Sequence, residues 1–127
     1  MLYNAKLKKL DPYIEEEVTL EVNGYEFTGF STICPYVIEE GKEYPVLISF
    51  TILDDLDLLE LNKEVKELKR IDESYKYYVR GILHEDYIDA GIKIYDEDEY
   101  FQDYKYLVGK PVELLVDRIA VEFLDNN

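Results

Sequence analysis

Tryptophan is absent from this sequence, and cysteine and histidine each occur once, as Cys34 and His84. A lone cysteine excludes an internal disulfide, which fits a reducing compartment. One Cys with one His also excludes a structural zinc site of the usual His/Cys type. Glycine is sparse and scattered: Gly24, Gly29, Gly41, Gly81, Gly91 and Gly109 each stand alone beside a turn or strand. No glycine-rich loop exists to cradle a phosphate. Cations are scarce, with 14 Lys and Arg against 29 Asp and Glu and a net charge of −15. Binding a polyanion requires Lys and Arg to displace its counterions. Nucleic acid and anionic membrane surfaces are therefore poor partners for this chain, whereas basic proteins and cations are electrostatically permitted. The basic residues that come closest together are Lys6, Lys8 and Lys9, with Lys66, Lys69 and Arg70 elsewhere; they read as solvated side chains. No stretch approaches the ~20 apolar residues of a membrane span, and the first residues lack the apolar run of a signal peptide. The expectation is a soluble, cytoplasmic protein.

What is present suits one globular domain over residues 1–127. The chain is 47% hydrophobic and 34% charged, and a chain of this size needs no disulfide or metal to fold. Its apolar residues are largely β-branched or aromatic, which favours strands. Leu2 to Leu10 alternates loosely and fits a first strand, ended by Asp11-Pro12. Val18, Leu20 and Val22 alternate with polar residues up to Asn23-Gly24, and Tyr25 and Phe27 continue the pattern beyond it. Asn-Gly suits a two-residue type I′ turn, so the spacing predicts a hairpin over 17–30, with Gly29 marking a bulge or bend. Tyr44, Val46, Ile48, Phe50 and Ile52 share one face of a long strand.

The spacing of Leu58, Leu61, Val65 and Leu68 predicts a helix over the first ten residues from Leu56, and the remainder to Ile71 is open between helix and strand. Asp54, Asp55 and Asp57 at its start and Lys66, Lys69 and Arg70 at its end complement a helix dipole. Strands follow over 75–83 and 88–95, then an acidic loop or short helix over 96–106, and a turn at Gly109-Lys110-Pro111. In the last strand Val112, Leu114 and Val116 hold one parity and Ile119, Val121 and Phe123 the other. Keeping one face buried then requires a β-bulge near Asp117-Arg118. Asp125 to Asn127 reads as a frayed end. The expected fold is mainly β: a small closed or partly open antiparallel barrel with at most one or two short helices. In outline it resembles the OB-type barrel, with no oligonucleotide-binding signature.

The densest chemistry lies between Tyr75 and Tyr106, which holds eight of the thirteen tyrosines. Between Glu85 and Asp103, eight carboxylates face one cation, Lys93. Asp96, Asp98 and Asp103 are oxygen ligands at close spacing, but counting an EF-hand loop from Asp96 places Phe101 at position six and Leu107 at position twelve, where Gly and Glu are required. No metal or other cofactor is expected. His84 could serve as a base beside Glu85 or Asp86, or pair with Cys34, yet neither carries a local signature; both read as ordinary side chains, and no catalytic residue is assigned. Tyrosine offers large contact area with a polar tip at low entropic cost. The expected function is a non-catalytic acidic binding module for another protein, with a basic partner favoured by charge, as in an immunity or inhibitor protein against a basic toxin or nuclease. The contact residues expected are Tyr87, Tyr95, Asp96, Asp98, Tyr100 and Asp103. Two alternatives come from other classes: an OB-like barrel binding single-stranded nucleic acid, and a small hydrolase using His84. The sequence carries no information on oligomeric state.

Overall fold

The structure, a computed structural model, describes residues 3–125. In these the chain forms eleven strands and one 3-10 helix, which bears out the mainly-β expectation. The strands are β1 (Tyr3–Leu10), β2 (Glu17–Val22), β3 (Tyr25–Ile33), β4 (Glu43–Thr51), β5 (Asp57–Glu60), β6 (Glu67–Arg70), β7 (Tyr77–Leu83), β8 (Tyr87–Asp89), β9 (Lys93–Tyr95), β10 (Pro111–Val116) and β11 (Arg118–Phe123). The helix covers Tyr100–Leu107. Five strands close a ring in the order β1-β2-β3-β11-β4, with β4 pairing back to β1. The sheet continues from β4 through β9, β8, β7 and β10 to β5, while β6 lies along β7. The β3–β11 and β4–β9 pairings are parallel, so the sheet is mixed and not antiparallel throughout.

Local sequence explains the hairpin of β2 and β3. Asn23 and Gly24 take positive φ of 51° and 84°, as a type I′ turn requires, and Val22 sits opposite Tyr25. Val18, Leu20, Val22 and Phe27 are buried, as are Val46, Ile48, Phe50 and Ile52 of the β4 region. In β7, Tyr77, Val79 and Leu83 turn inward. One apolar core joins the ring to the rest of the sheet, with Leu7, Leu20, Phe27 and Ile48 from the ring and Leu83, Ile94 and Leu114 from beyond it. Gly29 does not form a bulge, since the β2–β3 register is unbroken. Its hydrogen side faces β11: a Cβ there would sit 2.9 Å from the Val121 side chain. Glycine lets the two strands approach.

Three further expectations are corrected. The helix over the first ten residues from Leu56 does not form. The chain makes two short strands, β5 and β6, on the outer edges of β10 and β7. Leu58 lies opposite Leu114 and Leu68 opposite Val79, and both leucines pack on the core. Ladder bonds and burial outweigh helix propensity, which is only a weak preference. Residues 88–95 are not one strand but the β8–β9 hairpin, because Gly91 takes φ of 98° and the Tyr25 ring lies where its Cβ would be. The phase change near Asp117 is real, but it marks a change of place and not a bulge. The chain leaves β10, paired with β7 and β5, and enters the ring as β11 between β3 and β4. Asp117 pins this crossing: its N–H donates to the Thr51 carbonyl, and its Oδ2 accepts the Leu53 N–H at 2.7 Å. Leu2, from which the first strand was expected to start, and Asn126 and Asn127 lie outside the described residues.

Candidate functional site

The β8–β9 hairpin is the element that assembles side chains of chemical interest. Asp89 Oδ1 accepts the Gly91 N–H at 3.0 Å and closes the turn, while Asp89 Oδ2 meets Lys66 Nζ at 3.2 Å. Burial pushes the Asp89 carboxyl upward, but the Gly91 N–H and Lys66 together outweigh it and hold the group below the usual carboxylate range. Two tyrosines of the ring fix the hairpin from beneath. The Tyr25 ring covers Gly91, and Tyr3 Oη accepts the Lys93 N–H at 2.9 Å.

Tyr87 and Tyr95 are directly opposed across the hairpin, so their side chains share one face. Their ring centroids are 5.6 Å apart. His84 stacks on the other side of Tyr87, at 4.4 Å and nearly parallel, and Lys93 Nζ lies 5.2 Å from the Tyr87 ring centre. The three rings make a half-buried aromatic strip. Burial, followed by the charges of Asp86, Tyr3 and Tyr87, pushes the Tyr95 hydroxyl up, so it stays a neutral hydrogen-bonding tip at physiological pH.

The acidic turn follows the strip. Asp96 is turned inward and only 9% exposed. Its N–H donates to the Asp86 carbonyl, and its Oδ2 accepts the Phe101 N–H at 2.7 Å. Glu99 takes a left-handed φ of 61° and swings the chain into the 3-10 helix. Glu97, Asp98 and Glu99 between them are exposed. Although the residue is exposed, partial desolvation of its carboxyl, and then the like charges of Glu122 and Asp98, raise the Glu97 pKa, since both disfavour the charged form. Tyr100 leans on Phe50, with centroids 6.2 Å apart, and its hydroxyl is 3.5 Å from the Ile52 carbonyl. Asp103 is exposed on the helix. Among the described residues no group of three or more His, Cys, Asp or Glu is arranged to hold a metal ion.

Of the residues expected from sequence, Tyr87 and Tyr95 come together, and Asp98 and Asp103 face solvent. Asp96 is committed to the backbone of its own turn, and Tyr100 to packing against the ring. The residue that sequence reasoning set aside is His84. It joins the strip because Glu85-Asp86 is a two-residue turn, closed by the His84 N–H to the Tyr87 carbonyl at 2.9 Å. That turn sets His84 against Tyr87. Cys34 lies elsewhere, exposed in the β3–β4 connection with its Sγ 3.1 Å from the Tyr36 carbonyl. It lines a groove to which His84 does not contribute. No helix among the described residues is long and apolar enough to cross a membrane.

A family model described as Uncharacterised conserved protein UCP019853 matches residues 1–124. No curated protein and no solved structure matches the chain.

Proposed function

Because the chain belongs to the UCP019853 family, whose description assigns no activity, we propose a function from its own surface: a non-catalytic acidic module that binds another protein, preferably a basic one. The observation that carries this reading is the aromatic strip of His84, Tyr87 and Tyr95 bordered by carboxylates. Glu85 and Asp86 flank one end and Glu97, Asp98 and Glu99 follow the other, with Lys93 as the cation on the strip. Aromatic side chains with polar tips supply contact area, and a surrounding field of one sign steers a partner of the opposite sign. Asp98 and Asp103 contribute charge, while Asp96 and Tyr100 hold the turn that presents them. A role as an immunity or inhibitor protein against a basic toxin or nuclease is the form of this function that size and charge favour. A soluble, cytoplasmic setting goes with it. Capture of partners from native lysate at low and at high salt tests the reading. A basic protein retained at low salt and released at high salt is expected; retention of an acidic protein, indifferent to salt, would contradict it.

A second reading has one observation in its favour. In shape we take the five-stranded ring to be a small OB-like barrel, and on it Phe30 of β3 meets Tyr75 edge to face at 5.8 Å, with Arg118 of β11 stacked 4.3 Å over Phe30 and Lys76 lining the same hollow. Stacking rings beside cations suit single-stranded nucleic acid. Asp117 also lines that hollow, however, and Glu17 accepts the Tyr75 hydroxyl at 3.0 Å, so negative charge stands where a phosphate would pass. Fluorescence anisotropy with a labelled oligothymidine decides between the two. No saturable binding at physiological salt is expected.

A further inference from the structure

A groove of about 580 Å³ opens between the 11–16 loop, which joins β1 to β2, and residues 34–38, which follow β3. Leu10, Tyr36 and Ile38 give it half-buried apolar walls, and its charged lining is Asp11, Glu15 and Glu16 without a Lys or Arg. Two large apolar side chains stand fully in solvent in the same segments: Val37 is 90% exposed and Tyr13 is 94% exposed. Exposed apolar surface edged by polar groups marks interaction sites.

Both walls are fixed in place. Asp11 Oδ1 accepts the N–H groups of Tyr13 and Ile14, each at 2.8 Å. The Ser31 N–H donates to the Glu16 carbonyl at 2.6 Å. On the opposite wall Tyr36 stacks on Tyr44, and its hydroxyl donates to the Leu124 carbonyl at 2.7 Å. Glu40, which lies outside the lining, accepts the Leu10 N–H at 2.8 Å and so fixes the backbone of that wall residue. A groove so held does not have to be ordered when a ligand enters, which removes part of the cost of binding. The two backbone N–H groups at Asp11 also hold its carboxyl below the usual range, so it stays charged.

We propose that this groove docks a segment of a partner protein in which a bulky apolar side chain is flanked by Lys or Arg. The occupant follows from charge. Three carboxylates and no cation line an apolar trough, so an apolar anchor alone would leave the rim unmatched, and an acidic segment would be repelled. A second copy of this chain would bring the same carboxylates face to face on a molecule of net charge −15. The inference rests on the acidic-module reading and adds a second contact surface, with the chemistry of what it accepts.

Cys34 makes the test direct, because the sole thiol of the chain lines the groove. Its rate of modification by a thiol reagent is measured on the intact protein with three probes of equal length: a Lys/Leu peptide, a Lys/Ser peptide and a Glu/Leu peptide. Saturating Lys/Leu peptide is expected to slow modification at least about tenfold, Lys/Ser peptide much less and Glu/Leu peptide not at all. The double substitution Glu15→Lys with Glu16→Lys is expected to abolish the protection. Lys/Leu peptide that binds by anisotropy yet leaves Cys34 as reactive as before overturns the groove. If that binding is lost in Tyr87→Ser, the acidic module stands and its contact lies on the aromatic strip alone. If no basic peptide binds, both readings fall. Cys34 protection that grows with protein concentration and no peptide would identify a second copy as occupant and overturn the proposal.

Discussion

Tyrosine hydroxyls in this protein reach backbone groups that the sheet leaves over. Tyr77 Oη accepts the buried Thr28 N–H at 2.8 Å, Tyr3 Oη the Lys93 N–H and Tyr44 Oη the Glu39 N–H. The first two join strands that are not neighbours in the sheet, with Tyr77 fastening β7 to the ring, and Tyr44 closes the turn that leads into β4. Tyr77→Phe removes the acceptor and leaves a buried donor unpaired, which costs about 1–3 kcal/mol. A lower urea midpoint with an unchanged slope is expected; a wild-type midpoint would show that Thr28 has another partner. Burial is the leading cause that raises the hydroxyl pKa of Tyr36, Tyr75 and Tyr95. The folded state then holds the neutral phenol above the unfolded value of about 10. The stability this provides is complete below that pH and is lost as pH climbs through the raised values. A tyrosinate absorbance titration is expected to show a late fraction that ionises together with loss of circular dichroism. A single titration at the ordinary value with the fold intact would contradict it.

At the scale of the element, the β8–β9 hairpin depends on one carboxylate. Asp89 bonds the turn and Lys66, and its folded pKa is depressed. Its contribution is therefore present above the unfolded value of about 3.9 and disappears as pH falls through the lower folded one. Asp89→Asn is expected to cost up to about 1 kcal/mol at neutral pH and nothing in strong acid, as read from thermal midpoints across pH. An equal cost at both ends would assign the effect to shape and not to charge. The same hairpin shows what the sequence discloses. Gly91 lies four residues from both Tyr87 and Tyr95, so a turn there sets the two rings opposite each other; taken as a strand interior, Gly91 hides the pair. Asn23-Gly24 was legible because its turn is dictated by the two residues themselves. The 56–71 segment was not, because β5 and β6 exist only through β10 and β7, and its leucines satisfy helical spacing by coincidence. The parity change at Asp117 was visible, but which strands lie on either side of it depends on pairings across the whole chain. Asp96 and Asp98 look alike in sequence, and only the Phe101 N–H separates a turn-holding carboxylate from an exposed one.

Across the whole molecule, several cations are matched internally. Arg80 pairs with Glu67 and Glu113, Lys66 with Glu64 and Asp89, Lys110 with Glu60, Lys8 with Glu21 and Lys42 with Glu39. Carboxylates remain concentrated at 96–99, beside the aromatic strip, and at 11–16, beside the groove. An acidic field with aromatic contact area is the property from which the proposed function follows, and binding by it is screened by salt. The most direct measurement compares the wild-type protein with a variant carrying Tyr87→Ser, Tyr95→Ser, Asp98→Lys and Asp103→Lys for affinity toward a basic partner captured from lysate, with circular dichroism to confirm the fold. The expected result is a loss of at least about a hundredfold, on the order of 3 kcal/mol, and a shallower salt dependence in the variant. Unchanged affinity in a folded variant would contradict the assignment of the Tyr87 strip and its acidic turn as the binding surface.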